Sequence, residues 1–277
     1  MAGAFSYDKE QRICRKENLL ELMDIIFDPL EERLDVINDR LSLIQKKNGL
    51  TFGTDAYILS AFARPSPNGK AADLGCGTGV ISLLCASRNK YSRIYAVEIQ
   101  EEFASLTARN FELNGLSDKL TVINKNVDSI NQGDTCGELD AVLMNPPYMK
   151  NNSGKGNEHQ SKNIARREVC GTIYDFCAAA GRLLKTGGGL YAVYRPERLI
   201  DLSDAMRKSN IEPKKIVFVY PDTKSEPSLV LVEGKKGASP SLTVTRPLVI
   251  YKDGTREYTD DMSRIYEEFS LNHITQR

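Results

Sequence analysis

The chain has 277 residues and equal numbers of basic and acidic side chains, 37 of each, which suits a single α/β domain and gives no global charge for a polyanionic partner. Its six cysteines form no C-x-x-C pair and it has only two histidines, so we expect no metal site and reduced thiols. No apolar run approaches the roughly 18 residues of a membrane span, and the N-terminus does not resemble a signal peptide. We therefore expect a cytoplasmic protein without a membrane contact.

The first predicted element is an N-terminal helix, because several apolar residues fall on one helical face and Pro29 stands near the end of the pattern. These are Leu19, Leu22, Met23, Ile26 and Leu30. A hairpin is expected next, over about residues 39–52, since Asn48-Gly49 is a strong turn dipeptide. We assign residues 1–38 to a helical extension and residues 39–277 to a single domain.

From about residue 70 onward, short apolar runs alternate with helical patterns, which indicates a parallel sheet covered by helices on both faces. The predicted strands cover about residues 70–74, 93–97, 120–124, 139–144, 188–194, 215–220 and 228–233. The predicted helices cover about residues 79–89, 101–114, 166–185 and 197–208. We expect the last two strands to form an antiparallel hairpin at the sheet edge. A C-terminal extension from about residue 235 adds a strand over residues 242–251 and a helix over residues 260–269.

A glycine-rich loop, Asp-Leu-Gly-Cys-Gly-Thr-Gly at residues 73–79, follows the first of these strands. Glycines after a strand let backbone N–H groups approach a ligand closely. The spacing argues against a dinucleotide site because Val80 stands where the fingerprint needs its last small residue, and no Gly-Lys-Ser/Thr sequence supports a P-loop. An acid before G-x-G-x-G is instead the pattern of S-adenosylmethionine sites. Glu98 ends the next strand, at the spacing of a carboxylate that binds ribose hydroxyls; a solvated strand end is the alternative.

The motif Asn145-Pro146-Pro147-Tyr148 follows another predicted strand and suits chemistry on a planar amino group. The nitrogen of such a group is a poor nucleophile because its lone pair is delocalised. The Asn145 side-chain oxygen and the Pro146 carbonyl could accept its two hydrogens and draw the nitrogen towards a tetrahedral geometry, while the prolines keep the chain extended. Tyr148 offers a ring on which a base could stack. The alternative is a strand that ends in a proline-rich turn.

In these two motifs the chain resembles the class I S-adenosylmethionine-dependent methyltransferases, and within them the bacterial enzymes that modify N6 of the adenine next to the anticodon of valine tRNA. The similarity covers about residues 32–268, and it includes the segments 52–56, 157–168, 195–199 and 226–234. The resemblance implies an α/β, Rossmann-like fold of seven strands, extended by an N-terminal helix and hairpin and by the C-terminal segment. It also implies S-adenosylmethionine as the cofactor.

The resemblance further implies which residues bind that cofactor. Asp73, Gly75 and Gly79 would line its methionine and ribose end, and Asp55 would be the main polar contact of a segment near the methionine portion. Family members usually have an aspartate after the third strand, where this chain has Asn126 and Asp128, and either could accept a bond from the cofactor's adenine amine. The full predicted set is Phe52, Thr54, Asp55, Asp73, Gly75, Cys76, Gly77, Gly79, Glu98, Asn126, Asp128 and Asn145.

A basic segment follows the asparagine motif directly, with five lysine and arginine residues up to Arg167 against a single acid, Glu158. The basic residues are Lys150, Lys155, Lys162, Arg166 and Arg167. We expect this segment to be a loop that orders on RNA and contacts phosphates, and Arg195 and Arg198 to extend the basic patch. An ordinary solvated loop is the alternative.

The sequence therefore predicts an enzyme that methylates N6 of adenine in RNA, most directly in a tRNA anticodon arm, as a monomer or a homodimer. Other amines suit the same motif: the glutamine amide of a translation release factor, or the amino groups of DNA or ribosomal RNA bases. Glutamine-directed enzymes typically carry a helical N-terminal domain, for which the segment before Glu31 is short, and DNA enzymes usually add a base-reading domain. A non-catalytic RNA-binding protein on the same fold is a further alternative, against which the intact asparagine motif argues.

Overall fold

The computed structural model describes residues 27–38, 40–47, 53–146 and 171–275. The predicted N-terminal helix lies largely outside these residues, as does the start of the helix expected from residue 166. None of the helices in the described ranges is long and apolar enough to cross a membrane.

The first two strands, β1 (Glu32–Asn38) and β2 (Leu41–Lys46), form an antiparallel hairpin that is separate from the main sheet. The hairpin expected over residues 39–52 is therefore wrong in position. The chain turns directly after Asn38, whose side-chain oxygen accepts the N–H groups of Arg40 and Leu41, and a turn bonded in this way needs no Asn-Gly pair. Residues 32–38 are strand rather than part of a helical extension, and the expected boundary at residue 38 falls inside this hairpin.

A nine-stranded sheet forms the centre of the molecule. Its strands are β3 (Ser66–Leu74), β4 (Tyr91–Glu98), β5 (Leu120–Asn124), β6 (Leu139–Met144), β7 (Leu184–Tyr194), β8 (Ile211–Tyr220), β9 (Leu229–Lys236), β10 (Thr243–Val244) and β11 (Leu248–Val249). The order across the sheet is β10-β8-β9-β7-β6-β3-β4-β5, and β11 also pairs with β8. Every pairing is parallel except those of β9, which runs antiparallel to both β7 and β8.

The seven strands expected from the apolar runs are all present, and those of β5 and β6 have the expected bounds. The last two pair antiparallel, as predicted, with β9 on the inner side between β7 and β8. The strand expected over residues 242–251 is instead the two short strands β10 and β11. Pro247 stands between them and has no N–H group to offer to a sheet.

Seven α-helices cover the described part of the sheet. They are α1 (Thr54–Phe62), α2 (Val80–Ser87), α3 (Glu101–Leu113), α4 (Ile173–Leu183), α5 (Leu199–Lys208), α6 (Asp260–Glu268) and α7 (Asn272–Thr275), and a 3-10 turn at Pro196–Arg198 precedes α5. The helix α1 was absent from the sequence-based expectation. Its residues from Ala56 to Phe62 are all buried, so it shows no polar face that would mark it as an amphipathic helix.

The two faces of the sheet bury separate apolar cores. Along β3, Ala71 packs in the core that α1 and α2 cover, whereas Ala72 and Leu74 pack in the core that α4 and α5 cover. This alternation follows from the two-residue period of a strand. Because both faces are covered, the central strands read as continuous apolar runs, which is why the sequence locates them well.

Two asparagine side chains of α3 hold the hairpin against this helix. They bond the backbone at one edge of β2, as a neighbouring strand would. Asn110 accepts the N–H group of Ile44 at 2.7 Å and donates to its carbonyl at 3.1 Å. Asn114, one turn later, makes the same pair of bonds with Ser42, at 3.0 and 2.8 Å. Two residues that lie four apart on one face of a helix thus bond two residues that lie two apart on one edge of a strand.

An ion pair adds to this docking. Arg109 of α3 donates to both carboxylate oxygens of Glu32, at 2.9 and 2.7 Å, and the Glu32 side chain is only 3% exposed. Burial alone would raise the pKa of Glu32, but the bonds from Arg109 and the backbone hold this pKa below its ordinary value. The buried acid is therefore paired and ionised in the folded protein.

Candidate active site

Four predicted site segments meet at the carboxyl edge of the central sheet. The glycine loop follows β3, Glu98 ends β4, the loop of Asn126 follows β5, and Asn145 follows β6. From β3 the chain proceeds through β4 and β5 on one side and through β6 and β7 on the other. Such a reversal of strand order is the position at which open α/β sheets bind ligands.

The three glycines of the loop share a left-handed backbone but face different surroundings. Their φ angles are 71° at Gly75, 56° at Gly77 and 80° at Gly79. A Cβ atom at Gly79 would lie 2.7 Å from Thr107 and 2.8 Å from Phe111, whereas one at Gly77 would meet nothing within 4 Å. Gly79 therefore allows close packing against α3, and Gly77 is the glycine that faces open space.

Side chains of α3 and β4 hold the loop in place. Thr107 donates to the Gly77 carbonyl at 2.6 Å, and Asn110 donates to the Thr78 carbonyl at 3.0 Å. Glu98 accepts the Gly77 N–H group at 3.0 Å with one carboxylate oxygen and the Gln100 N–H group at 2.9 Å with the other. The loop is thus fixed by partners from outside its own segment.

The bond between Glu98 and Gly77 determines which ligands suit the loop. In phosphate-binding loops the backbone N–H groups point at the anion, but here a carboxylate takes one of them and adds negative charge. A phosphate would be repelled, whereas a cationic ligand that carries hydroxyl donors would be favoured. S-adenosylmethionine, with its sulfonium, ammonium and ribose hydroxyls, fits this donor and acceptor set. The proposed contact of Glu98 with the ribose stays a prediction.

Asp73 lies behind the loop rather than on its surface. Its side chain is buried, and one oxygen accepts the backbone N–H and the hydroxyl of Ser82 at 3.2 and 2.8 Å. The other oxygen has no hydrogen-bond partner among the described residues. Burial, only partly offset by the Ser82 bonds, raises the pKa of Asp73 to about 7. Asp73 thus supports the start of α2, and its second oxygen is an unmatched acceptor beside the predicted cofactor site.

Cys76, the other side chain of this predicted set within the loop, is a buried thiol. Its sulfur lies 3.9 Å from the Thr107 hydroxyl, and burial raises the pKa of Cys76 well above its ordinary value. A thiol in such surroundings is chemically inert, so Cys76 packs beneath the loop and takes no chemical step.

Asn145 and Asp55 meet although they are 90 residues apart in the chain. The Asn145 side-chain nitrogen donates to the Asp55 carboxylate at 2.9 Å. Asp55 stands in the first turn of α1, directly after Thr54, and its other oxygen accepts the Ala56 N–H group at 2.9 Å. The structure therefore brings Asp55, which is predicted to bind the cofactor, into contact with Asn145, which is predicted to contact both the cofactor and the substrate amine.

The loop after β5 contains both candidates for the adenine contact. The Asn126 side-chain oxygen accepts the Asp128 N–H group at 3.1 Å, which makes a local turn, and the Asp128 side chain is exposed. The Asp128 carbonyl accepts a bond from Arg182 at 3.0 Å. The role of either residue in binding adenine stays a prediction.

The two arginines expected to extend the RNA surface are both engaged with neighbours. Arg195 donates to the Ser228 carbonyl at 3.2 Å, and Arg198 forms an ion pair with Asp201. Asp201 lies three residues after Arg198, so this partner could have been read from the sequence. Eight further predicted site residues lie outside the described ranges: Phe52, Pro147, Tyr148, Lys150, Lys155, Lys162, Arg166 and Arg167, of which the first belongs to the cofactor set and the rest to the substrate set.

Sequence reasoning missed the residues that support the site, chiefly Ser82, Thr107 and Asn110. One signal was available for the last of these. Asparagine is a poor residue for a helix interior, so two asparagines one turn apart in α3, Asn110 and Asn114, indicate tertiary partners. In the residues that the structure covers, no cluster of three or more histidine, cysteine or acidic side chains could hold a metal ion.

The strand order, the acid-lined glycine loop and the asparagine after β6 together define a Rossmann-like, class I methyltransferase. The chain belongs to the methyltransferase small domain family, whose model matches residues 46–210. The family predicted from the two motifs, the S-adenosylmethionine-dependent methyltransferases, is thereby confirmed, as are the fold class and the assignment as an enzyme.

Known proteins are similar to this chain over most of its length. A tRNA1(Val) (adenine(37)-N6)-methyltransferase from Aliivibrio salmonicida is 26% identical over 229 residues, which cover 81% of this chain and 92% of the relative. A protein of the same name from Flavobacterium johnsoniae is 27% identical over 233 residues, which cover 84% and 97%. The solved structure of a predicted O-methyltransferase from Agrobacterium tumefaciens has a TM-score of 0.63 and 22% identity, with 78% of this chain and 97% of that chain covered. This last likeness concerns the fold alone.

Proposed function

We propose that the protein transfers a methyl group from S-adenosylmethionine to N6 of adenine in tRNA, at the adenine next to the anticodon. The observation that carries this proposal is the position of Asn145, which follows β6 beside the glycine loop and bonds Asp55. Support also comes from relatives named for this reaction that align over more than 80% of both chains. A tRNA substrate also implies a cytoplasmic enzyme.

The residues act mainly by positioning and by hydrogen bonds to the amine. The cofactor, when bound, supplies an electrophilic methyl group on its sulfonium. The Asn145 oxygen and the Pro146 carbonyl accept the two N6 hydrogens, which favours the tetrahedral nitrogen of the transition state over the planar nitrogen of the ground state. The methylated nitrogen then loses a proton to solvent, and because it is strongly acidic, no side chain is needed as a general base.

Recognition of the tRNA falls to the segment that follows Asn145. Tyr148 would stack on the adenine, and the five basic residues up to Arg167 would contact phosphates. The adenine beside an anticodon already lies in a loop, so it leaves its stack at a lower cost than a base in a duplex. Arg198 contributes less to this surface, because Asp201 offsets its charge.

The proposal is tested by offering labelled S-adenosylmethionine with unmodified bulk tRNA, duplex DNA or translation release factor in parallel reactions. We expect label in tRNA alone, and an Asn145→Ala variant serves as the control for contaminating activity. Label in the release factor or in duplex DNA, with none in tRNA, would overturn the proposal in favour of a glutamine or DNA methyltransferase. No label in any substrate would favour a non-catalytic role.

A further inference from the structure

Asp55 lies against the asparagine that the proposed reaction depends on, yet none of the steps above uses it. Its carboxylate oxygen is 2.9 Å from the Asn145 side-chain nitrogen. Both side chains are half-buried, so water competes for this bond less than it would at an exposed site. The local packing of α1 does not by itself explain why a carboxylate bonds the Asn145 amide here.

The hydrogen-bonding chemistry of a side-chain amide explains this contact. One end of the Asn145 amide is an acceptor and the other is a donor of two hydrogens, and the two ends are nearly equal in shape. An amine can be activated only by the acceptor end, because the donor end would meet the amine hydrogens with its own hydrogens. A catalytic asparagine therefore needs a neighbour that distinguishes the two ends.

A carboxylate makes this distinction, since it can only accept. The end of the Asn145 amide that faces Asp55 must therefore be the nitrogen, and the oxygen must point away from Asp55. We propose that Asp55 is a positioning residue that fixes the orientation of the Asn145 amide so that its oxygen faces the substrate amine. This inference deepens the proposed function and rests on it for the identity of the amine.

Asp55 is itself held on a rigid element. Its second oxygen accepts the Ala56 N–H group at 2.9 Å, and the rest of α1 is buried in the core. The far end of α1 is capped by the buried ammonium group of Lys90, which donates to the carbonyls of Ser60 and Ala63, both at 2.6 Å. The carboxylate is thus placed by a helix that is buried along its length and fixed at its far end.

Gly53 makes room for this carboxylate. A Cβ atom at Gly53 would lie 2.6 Å from the nearer Asp55 oxygen. The φ angle of Gly53 is −107°, which any residue can adopt, so the space that Asp55 needs is the reason for glycine here. A Gly53→Ala variant would therefore displace the carboxylate while leaving it in the chain.

The kinetic test compares Asp55→Asn and Gly53→Ala with wild type and with Asp118→Asn, a matched change at an exposed loop position. A neutral amide at residue 55 can accept from Asn145 or donate to it, so it no longer selects one orientation. A hydrogen bond to a charged group favours one arrangement about tenfold to a hundredfold. We expect both variants at the site to lower kcat at saturating cofactor by about tenfold or more, and Asp118→Asn to match wild type.

Two kinetic outcomes would overturn the inference. An Asp55→Asn variant with wild-type kcat would show that the amide orientation does not depend on the charge. A variant that binds S-adenosylmethionine much more weakly, with an unchanged kcat at saturating cofactor, would make Asp55 a cofactor contact instead. Calorimetric titration with the cofactor also verifies that each variant is folded.

A substrate-free measurement separates this inference from the proposed function. In nitrogen-15 NMR spectra, the side-chain NH2 signal of Asn145 is identified by its loss in Asn145→Ala. We expect one of its protons to exchange slowly with solvent in wild type, and to exchange faster with a shifted signal in Asp55→Ala. An unchanged signal would contradict the inference whatever the substrate is. A changed signal together with no methylation of tRNA would contradict the proposed function alone, and the kinetic test then uses the substrate that is methylated.

Discussion

At the scale of single residues, the glycine loop separates positions that the sequence treats alike. Gly77 faces open space, whereas Gly79 faces Thr107 and Phe111 at distances that leave no room for a Cβ atom. Both have a left-handed backbone, which costs a residue with a side chain about 1–2 kcal/mol. The two positions should therefore respond differently to the same substitution.

We expect Gly77→Ala to weaken S-adenosylmethionine binding by at least about tenfold, because the new methyl group projects to where the ligand would lie, with a loss of stability of only about 1–2 kcal/mol. Gly79→Ala adds overpacking against α3 and should cost about 1–3 kcal/mol more. Urea unfolding and calorimetric titration of both variants measure these effects. Equal stability losses, or unchanged cofactor affinity in Gly77→Ala, would contradict this assignment.

Asp73 gives the protein a specific dependence of stability on pH. Its pKa is about 7 in the folded protein against an ordinary value of 3.8, so between these pH values the folded state binds more protons than the unfolded state. The stability that protonated Asp73 provides is therefore present below pH 3.8 and is lost as the pH rises through about 7. The side chain of the Asp73→Asn variant stays neutral, so this variant does not lose that stability as the pH rises.

We expect the free energy of unfolding of wild type, relative to Asp73→Asn, to fall by up to about 1.4 kcal/mol per pH unit in this range and to level off above it. Urea titrations of both proteins from pH 4 to 8 provide the comparison, in which the other titrating groups cancel. Parallel curves for the two proteins would mean that Asp73 is ionised throughout.

At the scale of elements, the sequence predicts well those features that depend only on residues close together in the chain. The strands β5 and β6 were predicted with their observed bounds because they are buried apolar runs between polar loops. The hairpin was misplaced because its first strand begins with Glu32, whose burial depends on Arg109, 77 residues away. The bond between Asn145 and Asp55 was missed for the same reason, since the two segments meet only in the folded chain.

The hairpin and the glycine loop are coupled through α3, and a pair of variants tests this coupling. Asn110 bonds both Ile44 of the hairpin and the Thr78 carbonyl of the loop, whereas Asn114 bonds Ser42 of the hairpin but not the loop. Each change to alanine leaves buried or half-buried backbone groups unpaired, which should cost about 1–3 kcal/mol.

We expect only Asn110→Ala to weaken S-adenosylmethionine binding as well, because only this variant frees the loop. Thermal unfolding gives the stability losses, and titration with the cofactor gives the affinities. If Asn114→Ala weakened binding as much as Asn110→Ala, the bond to Thr78 would not be what transmits the effect.

At the scale of the whole molecule, we propose one methyltransferase domain that includes both extensions. The hairpin bonds α3, and the C-terminal segment packs on α1, where the rings of Tyr57 and Tyr266 lie 4.2 Å apart and Met262 joins the same core. Because α1 carries Asp55, the C-terminal segment supports the active site indirectly.

Because the net charge of the chain is zero, a surface that binds RNA must be a local basic patch. The salt dependence of tRNA binding tests which residues belong to this patch. Binding to phosphates weakens with salt, with a slope of about −0.7 per phosphate contacted on single strands. We expect the double change Arg166→Ala and Arg167→Ala to weaken tRNA binding and to flatten this slope. Arg198→Ala should have a smaller effect, because Asp201 already pairs with Arg198. A slope that is unchanged in the double variant would exclude these two arginines from the phosphate contacts.

Identifying the modified nucleoside tests whether the enzyme methylates N6 of the adenine beside the anticodon. Unmodified valine tRNA and a matched transcript with guanine at position 37 are incubated with S-adenosylmethionine, digested to nucleosides and analysed by mass spectrometry. We expect N6-methyladenosine in the first tRNA and no methylated nucleoside in the second. Equal methylation of both transcripts, or a methyl group on a ring nitrogen of adenine, would contradict this expectation.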